Sequence, residues 1–210
     1  MNFVATGDRA FSMSIASRAA RFRFLVRSDL WRYEGRFSMR DFVANYVRNP
    51  GFRYCFYHRL WNAVDGAALS RLGIQQFLSW RLRRMGIRFG LSRPPRTARG
   101  AGFYIGHFGG VVIHPDVRFG RDCNLSQGVT VGLASRGEFF GCPTFGDRVY
   151  IGPGAKVFGK IQIGNDVAIG ANAVVTRSVA ANSVVVGAPA RAISSKGSAG
   201  YVINTNYGEP

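Results

Sequence analysis

Acidic residues are scarce: 11 Asp and Glu stand against 28 Lys and Arg in 210 residues, for a formal net charge of +17. Such an imbalance points to anionic partners: nucleic acid, anionic lipid or an acidic substrate. Cysteine is nearly absent. The three present (Cys55, Cys123, Cys142) are an odd number without metal-ligand spacing, which argues against a disulfide framework and a metal centre and for a reduced, cytoplasmic protein. No apolar run reaches the roughly 18–20 residues of a membrane span. The Arg-containing first 25 residues lack the apolar core and cleavage site of a secretory signal. Zinc-finger, RNA-recognition and helix-turn-helix signatures are missing too, so no specific nucleic-acid partner is expected.

What is there divides unevenly. Hydrophobic residues make up 47% of the chain, enough for a full core. Residues 1–100 hold 19 Arg against 5 acids, and residues 101–210 hold 9 Lys and Arg against 6. Basic stretches interleaved with Phe, Trp and Tyr, at 22–31 and 52–61, suit peripheral contact with a membrane surface, with a plain solvated basic face as the alternative. Residues 1–25 read as weakly ordered, with a frayed helix as the alternative. From 28 to 84 the pattern is helical, with Ser28 and Asp29 as N-terminal caps, a break at Asn49-Pro50-Gly51 and a last helix over 72–85. Pro94 and Pro95 mark the handover to a different pattern.

That pattern is a beat of six. Phe145, Ile151, Val157, Ile163, Ile169 and Val175 recur at six-residue intervals, each followed four positions later by Val149, Ala155, Ile161, Val167, Ala173 or Val179. Neither a helix nor a single strand holds a period of six. A triangular coil of three hexads does, with the first residue of each pointing inward, which predicts a parallel β-helix. Extended backwards, the frame puts Leu125, Phe119 and Ile113 inside, with Val129, Cys123 and Val117 four residues on. The division expected is a basic α-helical domain (1–90), a β-helix (91–192) and a C-terminal tail (193–210).

The beat stumbles twice. Eight extra residues near 135–143 read as a loop thrown out of the coil, and two are inserted in the octad 105–112. Insertions in a solenoid tend to mark binding surfaces. Among the three histidines, His58 reads as packing or surface and His114 as outward-facing in a regular hexad. His107 lies in the octad beside Gly106 and Gly109-Gly110, where glycines leave room for a ligand. Histidine is the natural general base near neutral pH.

Gly106-His107-Phe108-Gly109-Gly110, 124–132, Ile151-Gly152-Pro153-Gly154-Ala155-Lys156 and 186–191 together resemble the serine acetyltransferase branch of the hexapeptide acyltransferases. The resemblance covers roughly 90–195 and, more loosely, the N-terminal helices. It implies a left-handed coil, a homotrimer, acetyl-CoA as donor in the groove between subunits, and direct acetyl transfer with His107 as general base and no metal. It also implies an oxyanion position near Gly132 and cofactor contacts from Ala155, Lys156, Ala173, Ala190 and Arg191. Cys142 has nothing basic beside it in sequence that would activate its thiol.

Two departures carry weight. The Asp that orients the family's catalytic His falls on Ser92. The Arg-His-Pro that grips serine becomes Gly141-Cys142-Pro143, leaving Arg136 of the same loop, or arginines of the helical cap, as substitute cations. The mixture resembles serine-acetyltransferase-like enzymes of capsule and exopolysaccharide synthesis, as do 29–33, including Asp29, and the 196–201 tail. Asp29, Arg136 and Cys142 are then the acceptor-side candidates, with Phe103, Tyr104, Phe108, Phe139 and Phe140 as aromatic surface for a sugar. The leading expectation is an acetyl-CoA-dependent O-acetyltransferase acting on a sugar of a polysaccharide or its precursor, at the inner face of the membrane. The alternatives are serine O-acetyltransferase, a hexapeptide scaffold that has lost its chemistry, and a metal-dependent solenoid of the carbonic-anhydrase type, for which the coil's two histidines are one too few.

Overall fold

The structure, a computed structural model, describes residues 15–66, 73–92 and 94–208. Four helices lie among them: α1 (Ile15–Glu34), α2 (Met39–Arg48), α3 (Pro50–Val64) and α4 (Ile74–Phe89). The sequence reading needs correction at α1. Residues 15–25 are helical, in line with the frayed-helix alternative, because Ala and Arg are the commonest residues in a stretch free of Gly and Pro. Ser28 and Asp29 are buried in mid-helix rather than capping it. Ser28 Oγ donates to the Leu25 carbonyl (2.9 Å) and accepts the Gly102 N–H (3.0 Å). The real caps lie later. Ser38 accepts the Asp41 N–H at the start of α2, and Asn49 accepts the Phe52 N–H at the start of α3. The expected helix start at 72 lies outside the described residues, whereas α4 ends cleanly on Gly90 at φ 62°.

From Leu91 the chain winds about five turns of a left-handed parallel β-helix with three faces. One face stacks β1 (Leu91–Ser92), β4 (Val111–Ile113), β7 (Thr130–Gly132), β10 (Lys156–Phe158) and β13 (Val174–Val175). The second stacks β2 (Ala98–Arg99), β5 (Arg118–Phe119), β8 (Thr144–Phe145) and β11 (Gln162–Ile163). The third stacks β3 (Tyr104–Ile105), β6 (Asn124–Leu125), β9 (Tyr150–Ile151), β12 (Ala168–Ile169) and β14 (Val184–Val186), with β15 (Arg191–Ser194) antiparallel at its edge.

The six-residue beat is the core. Phe145, Ile151, Val157, Ile163, Ile169 and Val175 are all buried, as are Ile113, Phe119 and Leu125. Each such side chain contributes about 1.5–3 kcal/mol on burial. Strand register shows where the beat is interrupted. Tyr150 pairs with Ala168 and Lys156 with Val174, one coil of 18 residues apart. Tyr104 pairs with Asn124 at 20, and Arg118 with Thr144 at 26. The octad and the loop therefore add two and eight residues without breaking the ladder. Phase is recovered at a column of corners, Gly110, Gly128, Gly154 and Asn172, with φ of 66°, 71°, 72° and 56°. The Gly128 N–H donates to the Gly109 carbonyl (2.8 Å). At Gly154 the left-handed φ favours glycine, and a Cβ there would have to displace the Asn172 side-chain amide.

The helical cap is bolted to the first turns by buried polar groups. Arg59 donates to both carboxylate oxygens of Asp29 (2.9 and 2.8 Å) and to the Gly100 carbonyl (2.7 Å), while Asp29 also accepts the Phe103 N–H (2.8 Å). Arg32 donates to the carbonyls of Gly102 and Ile203 and to Asn124 Oδ1, and lies 3.7 Å from Asp122. The C-terminal tail runs back over the coil to reach α1. Tyr201 stacks on Tyr150, the Tyr201 carbonyl accepts from Asn124, and Tyr207 lies against Asp122 and Arg121. Burial pushes the Asp122 carboxyl up to about 6, with Arg32 and Tyr207 offsetting part of the shift.

Candidate functional site

Three helices brace the octad. The Tyr33 hydroxyl of α1 donates to the Ile105 carbonyl (2.9 Å) and accepts the Ile105 N–H (3.3 Å). At Gly51, near the start of α3, a Cβ would meet the Ile105 carbonyl at 2.4 Å, so only glycine allows α3 this close to β3. Phe89, the last residue of α4, packs edge-on against Phe108 with ring centroids 5.4 Å apart. On this fixed base, residues 107–110 arch out with Gly109 at φ 110°. His107 is exposed, and no group among the described residues bonds its ring. An imidazole held on a rigid arch with both nitrogens open can exchange a proton with a bound hydroxyl.

The second interruption is a small braced hairpin. Ala134 and Gly141 exchange backbone hydrogen bonds of 3.0 and 3.1 Å, and the Lys160 N–H donates to the Phe139 carbonyl (2.9 Å). At its foot lies a contact that linear reading missed. Cys142 Sγ lies 3.1 Å from His114 Nδ1, so the cysteine has a basic neighbour 28 residues away. Nδ1 also accepts the Asp116 N–H (3.3 Å) and lies 3.7 Å from Asp116 Oδ2. Burial first, and Asp116 second, push the Cys142 thiol up, so it stays protonated and donates toward Nδ1. The signal was in the register: β8 sits 26 residues above β5, which stacks Cys142 over Asp116.

Other residues singled out from the sequence fall in varied places. Asp29 is 1% exposed with both oxygens engaged by Arg59, which removes it from the acceptor side. The side chains of Ala155 and Ala173 are fully buried in the coil core, because each sits four residues after an inward position; they are core rather than groove lining. Phe103 is core as well, and Tyr104 packs on Tyr33. Lys156 Nζ donates to the Gly128 carbonyl (2.6 Å) and Thr130 Oγ1 (3.0 Å), so its ammonium lies flat on the coil. Arg136, Arg191, Phe108 and Phe140 are exposed, Ala190 is half-buried, and Gly132 carries the Phe158 ring where a Cβ would stand. Ser92 lines a groove of about 760 Å³ between α4 and β4, together with Gly110, Val112 and Pro115.

The chain is similar to known proteins. The bacterial transferase hexapeptide family (six repeats) matches residues 143–177. A serine acetyltransferase of Staphylococcus xylosus is 35% identical over 146 residues, covering 69% of this chain and 67% of that protein. The chain belongs to the serine acetyltransferase-like hexapeptide family. The Mycobacterium tuberculosis serine acetyltransferase is 40% identical over 69% of this chain and 61% of its own length, so the chain spans about three fifths of that relative. Among solved structures, serine acetyltransferase of Neisseria gonorrhoeae in complex with serine aligns with a TM-score of 0.69 at 28% identity, over 85% of this chain and 72% of that one. As a member of this family, the chain presents in the octad the one histidine of its described coil that no hydrogen bond or ion pair engages.

Proposed function

We propose that the protein is an acetyl-CoA-dependent O-acetyltransferase, with free serine as the first acceptor to test. The observation that carries this reading is the open imidazole of His107 on a braced arch, in a chain whose relatives are named serine acetyltransferases. The acceptor hydroxyl attacks the thioester carbonyl, His107 takes its proton, and coenzyme A leaves as the thiol. A backbone N–H near Gly132 is the oxyanion donor in this scheme. Ala190, Arg191 and Lys156 are its donor-side candidates, and Ser92 stands where the family supplies a carboxylate. The active unit is a homotrimer, a reading supported by exposed Val112 and Leu133 on the coil's outer surface. Peripheral contact with an anionic membrane belongs to the same reading, through exposed Phe77, Trp80 and Ile87 on the Arg-rich α4; no described helix is long and apolar enough to cross a bilayer.

The sugar acceptor has less support than serine, because the named relatives act under the serine name. One observation keeps it as a second reading. The loop foot is Gly141-Cys142, with Cys142 turned to His114, and offers no charged grip for an amino-acid carboxylate. The deciding experiment incubates purified protein with acetyl-CoA and measures coenzyme A release against serine and against nucleotide-sugars. Saturable turnover with serine supports the first reading. Turnover with sugars alone overturns it in favour of the second, and no turnover with any hydroxyl acceptor overturns both.

A further inference from the structure

We infer that His114, Asp116 and Cys142 form a binding site for a single divalent cation of the zinc class. The three donors come from two separate parts of the chain: the corner between β4 and β5, and the foot of the hairpin one rung above. Their ligand atoms, an imidazole nitrogen, a carboxylate oxygen and a sulfur, all lie within 4.8 Å of one another. With metal–nitrogen and metal–oxygen bonds of about 2.0–2.1 Å and a metal–sulfur bond of about 2.3 Å, a tetrahedral ion holds its nitrogen about 3.6 Å from sulfur and about 3.4 Å from oxygen. The distances here are 3.1 Å from Nδ1 to Sγ and 3.7 Å from Nδ1 to Asp116 Oδ2. For these two pairs, shifts of about half an ångström, within the reach of a χ1 adjustment, separate the two arrangements.

The chemistry of the set is selective. A nitrogen, a thiol sulfur and one carboxylate suit zinc or cobalt(II), while magnesium and calcium prefer oxygen-only shells. The Nδ1 lone pair already receives two donors, the Cys142 S–H and the Asp116 N–H, so it points into the space between them. Coordination breaks the S–H bond, sends the proton to solvent and forms the sulfur–metal bond. Thiolate and carboxylate then bring two negative charges, which neutralise a divalent ion in an otherwise cationic chain. Pro115 holds the corner between two of the ligands, and the Arg118 N–H bonds the Pro143 carbonyl (3.4 Å) beside the third. A bound ion therefore clamps the hairpin foot to the rung below it and keeps a fourth coordination position open to water or a ligand. The half-exposed His114 and the largely exposed Asp116 leave a path for entry.

The site concerns cation binding alone and stands whether or not the chain acetylates serine. The test titrates the full-length, reduced protein with cobalt(II) and zinc, in separate arms, by absorption spectroscopy and calorimetry. The expected result is one equivalent bound, with a thiolate-to-cobalt charge-transfer band in the near ultraviolet that zinc abolishes and magnesium does not. Cys142→Ser removes the band, and His114→Ala and Asp116→Asn each weaken binding at least about 10-fold. Asp116 is exposed, so its Asn variant is expected to melt with the parent and to report on affinity even where Cys142→Ser is misfolded. His107→Ala leaves affinity unchanged. Absence of saturable binding, or binding that Asp116→Asn and Cys142→Ser leave intact, overturns the site.

Discussion

The side of the coil covered by helices and tail and the side carrying the two interruptions treat polar groups in opposite ways. On the covered side the groups that join the helices to the coil are locked, with Asp122 as the exception. Asp29 and Arg59 satisfy each other and two backbone groups, and Arg32 spends its guanidinium on Gly102, Asn124 and Ile203. On the open side, among the described residues, nothing bonds the ring of His107 or the guanidinium of Arg136 at the hairpin tip, and His114 shares its nitrogen among weak donors. Polar groups that fix a fold are desolvated and fully paired, because an unpaired buried group is costly. Groups that meet a ligand must leave bonding capacity unspent. The difference teaches which of the chemically capable residues hold the molecule together and which can act.

Three predictions probe that contrast, beginning with the largest effect. Arg59→Ala strands the Asp29 carboxylate in the core and is expected to cost about 3–5 kcal/mol of folding stability, read by urea unfolding. Replacing both partners, as in Asp29→Leu with Arg59→Met, is expected to recover most of that loss. If the double variant folds yet shows an acceptor KM raised many-fold, the covered side is not purely structural and the contrast breaks.

Next in size, His107→Ala is expected to lower turnover at least about 100-fold, the scale of a positioned general base. Its melting temperature should match the parent, because no described residue bonds the ring. Activity near the parent's would place the base elsewhere.

Smallest is a pH effect on the covered side. The Asp122 carboxyl is raised to about 6 by burial, above the unfolded value. Its neutral form therefore favours folding below about pH 4, and that contribution is lost as pH rises through about 6. Melting temperatures of the parent relative to Asp122→Asn should fall as pH rises between about 4 and 7. Parallel curves would mean that Arg32 and Tyr207 hold the carboxyl near its ordinary value.

Much of the coil was legible because its signal is local. Apolar residues from Ile113 to Val175 return every six positions on either side of the loop, which calls for a triangular coil, and every inward assignment on that beat is buried. The octad at 105–112 and the loop near 135–143 were visible as arithmetic remainders. The helical cap was less legible. Ser28 and Asp29 look like caps in isolation, and only the arrival of Arg59 and the Gly102 and Phe103 amides explains them in mid-helix. Ala155 and Ala173 were misread because small residues fit a groove and a crowded corner equally well. Cys142 had no basic neighbour along the chain, since the hairpin must be counted into the rung before it stacks on Asp116.

The sequence by itself determined the winding, its inward face and the two places where it is interrupted, since a period of six is written residue by residue and enforced by hydrophobic burial. Tertiary structure alone decided which polar residues are spent and which are free. Hydrogen bonds and ion pairs join groups up to 172 residues apart, and no local pattern records which partner will arrive.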